Sequence, residues 1–118
     1  MKYVNKKLTI ERRSVESIAK KYGTPAYCYS FNSLKENIHN FKKSFKSFSP
    51  LICFAIKSNS NLSLLREIKK FGLGADVVSI GELMIAIKAG INPKKIVFSG
   101  VGKTFNEIKY AIIKKILL

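Results

Sequence analysis

The chain has 118 residues, 47% of them apolar and 11% aromatic, with a formal net charge of +15. That length suffices for one small core but not for two domains, and the apolar fraction excludes a disordered tail. No apolar stretch approaches the ~20 residues that cross a bilayer, and the N-terminus, Met1 to Lys7, lacks the apolar core and cleavage site of a secretory signal. Cys28 and Cys53 stand alone, without paired spacing or a nearby histidine pair, so neither a disulfide framework nor a metal site is indicated, and a cytoplasmic protein is expected. The 22 basic residues include only three arginines, Arg12, Arg13 and Arg66, and are spread along the chain instead of forming one stripe. Base-edge and bidentate phosphate recognition favours arginine, so the charge predicts weak polyanion binding at low salt and no specific nucleic-acid role.

In chain order, Ser14 is placed to cap a helix over 15–22 that Gly23 ends, and Thr24-Pro25 punctuates the chain. Residues 26–30 read as a short strand. Asn32 or Ser33 then opens a helix with Leu34, Ile38, Phe41, Phe45 and Phe48 on one side, stopped by Ser49-Pro50. The apolar run 51–56, ending in Lys57, reads as a strand buried on both faces. Asn61 caps the next helix, with Leu62, Leu64, Leu65, Ile68 and Phe71, and Gly72 and Gly74 close it. Residues 75–78 form the next strand. Ser79-Ile80-Gly81-Glu82 leads into a helix that Gly90 ends, and 96–99 is a third strand. A last helix over about 104–114 precedes Ile116-Leu117-Leu118, the opening of a fourth strand. Strand and helix thus alternate with a period of about twenty residues, which predicts an α/β fold with parallel strands, sheet or barrel.

In such folds chemistry collects at the C-terminal ends of the strands. Lys57, Asp76 with Ser79, and the 99–103 loop all fall at or just past three successive strand ends. Lys57 reads in two ways. It either ends a strand and reaches back to water, or it is a partly desolvated amine, nucleophilic toward an aldehyde-bearing group. Asp76, the only aspartate, either orients or protonates that amine or caps the following turn. Ser79 and Glu82 have the S-x-x-E spacing of a capping box at a helix start, where the macrodipole favours an acid. Gly100-Val101-Gly102 offers backbone amides to an anion, a weak signal with two glycines only. His39, the sole histidine, sits on a lysine-rich helix as a surface residue.

Taken as words, 22–27 (YGTPAY), 54–59 (FAIKSN), 72–83 (GLGADVVSIGEL) and 96–104 (IVFSGVGKT) resemble, in order and spacing, the alanine-racemase-like decarboxylases that use pyridoxal 5'-phosphate (PLP). Several matches in register from Tyr22 onward are far more specific than any one. The resemblance implies a (β/α)8 barrel, a TIM barrel, of the PLP-binding type, followed by a C-terminal β-domain, in a homodimer. Residues 1–118 would be the N-terminal portion of the barrel domain, with 1–50 as helix, strand and helix lead-in and 51–118 as the first βα units. The β-domain would be absent from these residues. Lys57 falls on the lysine that binds PLP covalently, and Asp76, Ser79 and Glu82 on positions in the cofactor neighbourhood. Lys103 matches a recurrent lysine, either structural or adjacent to the site. Ser58 departs from the usual alanine, and Ile80 stands where glycine is frequent.

The wording is nearest to the branch that converts meso-diaminopimelate to L-lysine, a lyase reaction of amino-acid biosynthesis. It leans away from the branches acting on ornithine, arginine or carboxynorspermidine. A non-catalytic PLP-binding barrel protein is a further reading, against which the wording of 79–82 speaks. The family's phosphate loop, ring-stacking histidine and substrate residues have no counterpart in 118 residues. These residues alone are therefore expected to be unstable and without turnover, since a βα barrel takes ~250 residues.

Overall fold

The computed structural model describes residues 1–118 in two units, Met1–Ser47 and Phe48–Leu118. The first unit opens with an antiparallel meander that hydrophobic periodicity does not predict: β1 (Lys2–Val4), β2 (Lys7–Ile10) and β3 (Arg13–Ser14). Val4 pairs with Lys7 and Ile10 with Arg13, so both connections are two-residue turns. Asn5, Lys6, Glu11 and Arg12 at their centres all have positive φ, 48°, 63°, 47° and 70°. Two successive left-handed residues give the type I′ turn, whose twist matches that of the flanking strands. None of the four is glycine, so the usual sequence signal for a hairpin is missing.

Helix α1 (Val15–Tyr22) forms where expected. The Ser14 hydroxyl accepts from the Ser17 amide at 3.1 Å, and Gly23, with φ 80°, ends the helix. Two other expectations for this unit fail. Residues 26–30 pair with no neighbour and form no strand, because an extended segment without a partner edge has no ladder to stabilise it. Helix α2 (Phe31–Ser44) is capped by Ser30 and not by Asn32 or Ser33. The cap is set from a distance: Glu11 Oε1 accepts from Ser30 Oγ at 2.8 Å and from the Asn32 amide at 2.6 Å. These donors, the Asn32 amide above all, hold the Glu11 carboxyl below the usual glutamate range. On α2, Leu34 and Ile38 are half-buried, Phe41 stays exposed, and Phe45 stands just past its end. Phe48 lies in a separate short 3-10 turn, Lys46–Phe48.

The second unit is a parallel sheet in the order β4 (Cys53–Ala55), β5 (Gly74–Val77), β6 (Ile96–Phe98). Helices α3 (Leu62–Lys70), α4 (Ile80–Ala89) and α5 (Phe105–Ile113) alternate with the strands. The rows across the sheet are Cys53 with Gly74, Phe54 with Ala75 and Ile96, Ala55 with Asp76 and Val97, and Val77 with Phe98. Because side chains alternate faces along a strand, alternate rows share a face. Ala75, Val77, Ile96 and Phe98 are buried together with Leu65, Leu83, Ala86, Ala89 and Ala111, which is the core. Cys53, Ala55, Asp76 and Val97, on the other face, are only half-buried.

Within residues 1–118 the helices cover one face of this sheet, and the strand expected at 51–57 proves shorter than its apolar run. Only Cys53–Ala55 is strand, Leu51 is exposed, and Ile56–Ser58 turns off as a 3-10 segment. Of the remaining punctuation, Gly74 does not close α3 as expected but begins β5, whereas the expected ends at Asn61 and Gly90 are found. Asn61 caps α3 through its Oδ1, Gly90 in the left-handed conformation ends α4, and Thr104 caps α5. Leu117 bridges Val97 in parallel, with Phe98 N donating to Leu117 O at 2.8 Å, so a fourth strand does open at the chain's last residues. Leu65, with no exposed surface, faces the centre of this core. Leu65→Ala is expected to cost about 2–5 kcal/mol, read as a lowered denaturant midpoint; a shift below ~1 kcal/mol would place Leu65 outside the cooperative core. No helix is long and apolar enough to cross a membrane.

Candidate cofactor site at the strand ends

The loops that leave the C-terminal ends of β4, β5 and β6 carry the candidate residues. After β4, Ile56 is fully buried and pins the 3-10 turn to the core. The Ser58 hydroxyl donates to Ala55 O at 2.7 Å, Asn59 N to Ile56 O at 2.9 Å, and Asn61 N to Asn59 Oδ1 at 3.0 Å. Ser58, expected merely to be tolerated, thus closes the turn that presents Lys57. Lys57 itself is exposed and makes no hydrogen bond or ion pair. Of the two readings of Lys57, its exposure within these residues matches a side chain that leaves the strand end toward water.

Asp76 lies on the open face of β5, half-buried. Its carboxylate accepts a short hydrogen bond from Ser99 Oγ, while Ser99 N donates to Val77 O at 3.0 Å. A half-buried carboxylate requires such a partner, and the partner here is the serine after β6 instead of Lys57. Beside it, burial and then the Asp76 charge push the Cys53 thiol pKa up, and Cys53 Sγ reaches Lys95 O at 3.7 Å. Cys53 is thus kept as a neutral thiol, a packing residue and not a nucleophile.

The S-x-x-E motif caps α4, but one half is displaced. Ser79 Oγ accepts from Glu82 N at 3.3 Å, whereas Glu82 Oε2 reaches past the cap to Val78 N at 2.8 Å. The amide of Ile80 is instead taken by Glu107 Oε1, 27 residues away, at 3.1 Å. Glu107 also forms a full capping box with Thr104. Sequence reading passed over both Glu107 and the Asp76–Ser99 pairing. Thr104-x-x-Glu107 is the S/T-x-x-E signal that finds the first, whereas the second needs the register of the sheet.

The third loop is explained by packing. A Cβ on Gly100 would run into the Val78 backbone, so that glycine marks a close approach of two chains, while Gly102 has open space around it. Lys103 Nζ donates to Gly100 O at 2.7 Å and lies 5.2 Å from the centre of the Phe98 ring, which makes it a brace for its own loop. His39 is exposed on α2, as expected. The structure thus brings Asp76 and Ser99 into direct contact and seats Ser79 and Glu82 on one helix start. Lys57 stands at the neighbouring strand end without a hydrogen bond or ion pair to them.

Comparison with known proteins gives this arrangement its context. Residues 31–117 match the family model described as "Pyridoxal-dependent decarboxylase, pyridoxal binding domain". The chain is 51% identical over 102 residues to a diaminopimelate decarboxylase of Helicobacter pylori (strain J99), covering 86% of this chain and 25% of that protein. It is 43% identical over all 118 residues to one of Aquifex aeolicus, covering 28% of that protein. Among solved structures, the diaminopimelate decarboxylase of M. jannaschi superposes with a TM-score of 0.93 at 36% identity, over 98% of this chain and 28% of that one. That of H. pylori, complexed with L-lysine, gives 0.82 at 48% identity, over 87% and 26%. The chain spans about a quarter of the length of the relatives it matches. The α/β architecture described above is accordingly the N-terminal part of the barrel fold of these enzymes. By motif, fold and family match together, the chain belongs to the pyridoxal-dependent decarboxylases, and its residues 31–117 to their pyridoxal-binding domain.

Proposed function

We propose that this chain supplies the lysine-bearing part of the PLP site in an enzyme that decarboxylates meso-diaminopimelate to L-lysine. The observation that carries this reading is the position of Lys57. It is an unengaged amine on a pinned turn at the C-terminal end of β4, one strand from the only aspartate of the chain. The residues present fit the group. PLP needs an accessible primary amine, and Lys57 offers one; the small residues Cys53 and Ala55 leave the open sheet face beside it uncrowded.

When bound, PLP draws electrons from the bond to the α-carboxyl group of an amino acid, so that carbon dioxide can leave. Lys57 would hold the cofactor through its amine. Asp76, fixed by Ser99, would place a carboxylate on the open face of the neighbouring strand. Ser79 and Glu82 complete the neighbourhood by fixing the start of α4, since their polar atoms are already engaged with backbone amides. A homodimer, with further site residues from outside these 118, and a cytoplasmic setting follow from the family resemblance.

The test is chemical. The protein is incubated with PLP, reduced with borohydride and mapped by peptide mass spectrometry. Labelling is expected to concentrate on Lys57. Labelling spread over the exposed lysines, among them Lys35, Lys69 and Lys88, would sink the assignment.

A further inference from the structure

Two side-chain contacts join the same pair of strand ends. Asp76 on β5 accepts from Ser99 after β6, and Glu107 on α5, the helix after β6, accepts from Ile80 at the start of α4, the helix after β5. The Glu107 carboxylate is fully used. Oε1 takes the Ile80 amide at 3.1 Å, and Oε2 takes the Thr104 amide at 2.8 Å and the Thr104 hydroxyl at 2.9 Å. Both amides belong to helix starts, where the first N–H groups have no partner within the helix. One carboxylate therefore satisfies donors at two helix N-termini, and it lies near the positive end of both.

The hydrogen bonds of the turn that carries Lys57, by contrast, are local to it: Ser58 to Ala55, Asn59 to Ile56, Asn61 to Asn59. The Thr104 amide and hydroxyl, then the Ile80 amide, hold the Glu107 carboxyl below the usual glutamate range. The clip is thus closed in the ionised form throughout the neutral range. It opens as pH falls through that lowered pKa.

We propose that Glu107 is a positioning residue, a clip that makes the β5–α4 and β6–α5 loops one rigid body and so fixes Ser79 and Glu82 relative to Asp76. The link to the cofactor site rests on the function proposed above; the clip itself does not. A residue that merely capped its own helix would leave Ile80 indifferent to its protonation.

The experiment follows backbone amides by NMR in a folded, 15N-labelled enzyme that contains this chain, without cofactor, across pH 3 to 7. The Ile80 and Thr104 amide signals are expected to titrate together, with one midpoint below the ordinary glutamate range. In Glu107→Gln both titrations should vanish, and hydrogen exchange at Ile80 should quicken by roughly tenfold, the size of one lost hydrogen bond. The amide of Leu83, bonded to Ser79 O inside α4, should be unchanged. An Ile80 signal that does not move with pH, or moves with a midpoint different from that of Thr104, overturns the clip even where the variant fails to fold. Because no PLP is present, loss of labelling at Lys57 with intact co-titration would refute the proposed function and leave the clip standing.

Discussion

Gly74→Ala is expected to unfold the second unit or to lower its stability by about 3 kcal/mol or more. Gly74 begins β5, opposite Cys53, in the middle strand of the sheet. A Cβ there would penetrate the Lys95 carbonyl oxygen and sit 2.9 Å from Cys53 Sγ. The thiol can rotate away; the Lys95 carbonyl cannot, because it belongs to the backbone leading into β6. Relief requires β6 to shift, and β6 carries Ile96 and Phe98, both buried in the core. A domain of this size is stable by only ~5–15 kcal/mol, so the loss is large on that scale. Gly102→Ala is the matched control, since nothing lies within 4 Å of its added carbon and its φ is not positive. Chemical denaturation of the two variants side by side checks the prediction, and equal midpoints would contradict it.

Lys57→Arg, made in a decarboxylase that contains this chain, is expected to lower kcat on diaminopimelate by three orders of magnitude or more, as Lys57→Ala should. Arginine keeps the charge and length but is never deprotonated in proteins, so it cannot bind an aldehyde as an amine does. Lys57 is solvent-exposed, and its turn is closed by the Ser58 hydroxyl and the buried Ile56, not by the lysine head. Both variants should therefore keep the wild-type melting temperature within a few degrees. Lys103→Ala is expected to behave the other way, losing the brace on Gly100 O with the PLP label at Lys57 retained. A Lys57→Arg enzyme with a tenth of the wild-type rate would remove Lys57 from the chemistry.

Much of the second unit was legible because its signals are local. Asn61, Ser79 and Gly90 each mark a helix end through contacts within a few residues, and the βα alternation follows from them. The first unit was less so. Its two turns use Asn-Lys and Glu-Arg in place of glycine, and the meander escapes any rule built on turn composition. Ser30 as the α2 cap depends on Glu11, 19 residues away, which spacing alone does not reveal. At the site, sequence placed Asp76, Ser79 and Glu82 near one another but not the partner of each. Asp76 bonds Ser99 and Ile80 bonds Glu107, choices made by how the strands and helices pack, while Glu82 bonds Val78 just ahead of its own helix. The strand before Lys57 is shorter than its apolar run because Ile56, though buried, already belongs to the 3-10 turn, which apolar character alone does not distinguish.

The row pairing of the parallel sheet also bears on how the chain finds its fold. Cys53 lies opposite Gly74 and Ala75 opposite Ile96, a separation of 74 − 53 = 21 residues in one case and 96 − 75 = 21 in the other. The two crossovers therefore pay the same loop-closure entropy, and neither must wait for the other. β5, shared by both, is the strand on which either pairing can begin, so folding of this unit should proceed outward from the segment around Gly74–Val77. Substitutions in β5 are then expected to slow folding, whereas those near Leu117, which adds to the outer edge of β6, should mainly speed unfolding.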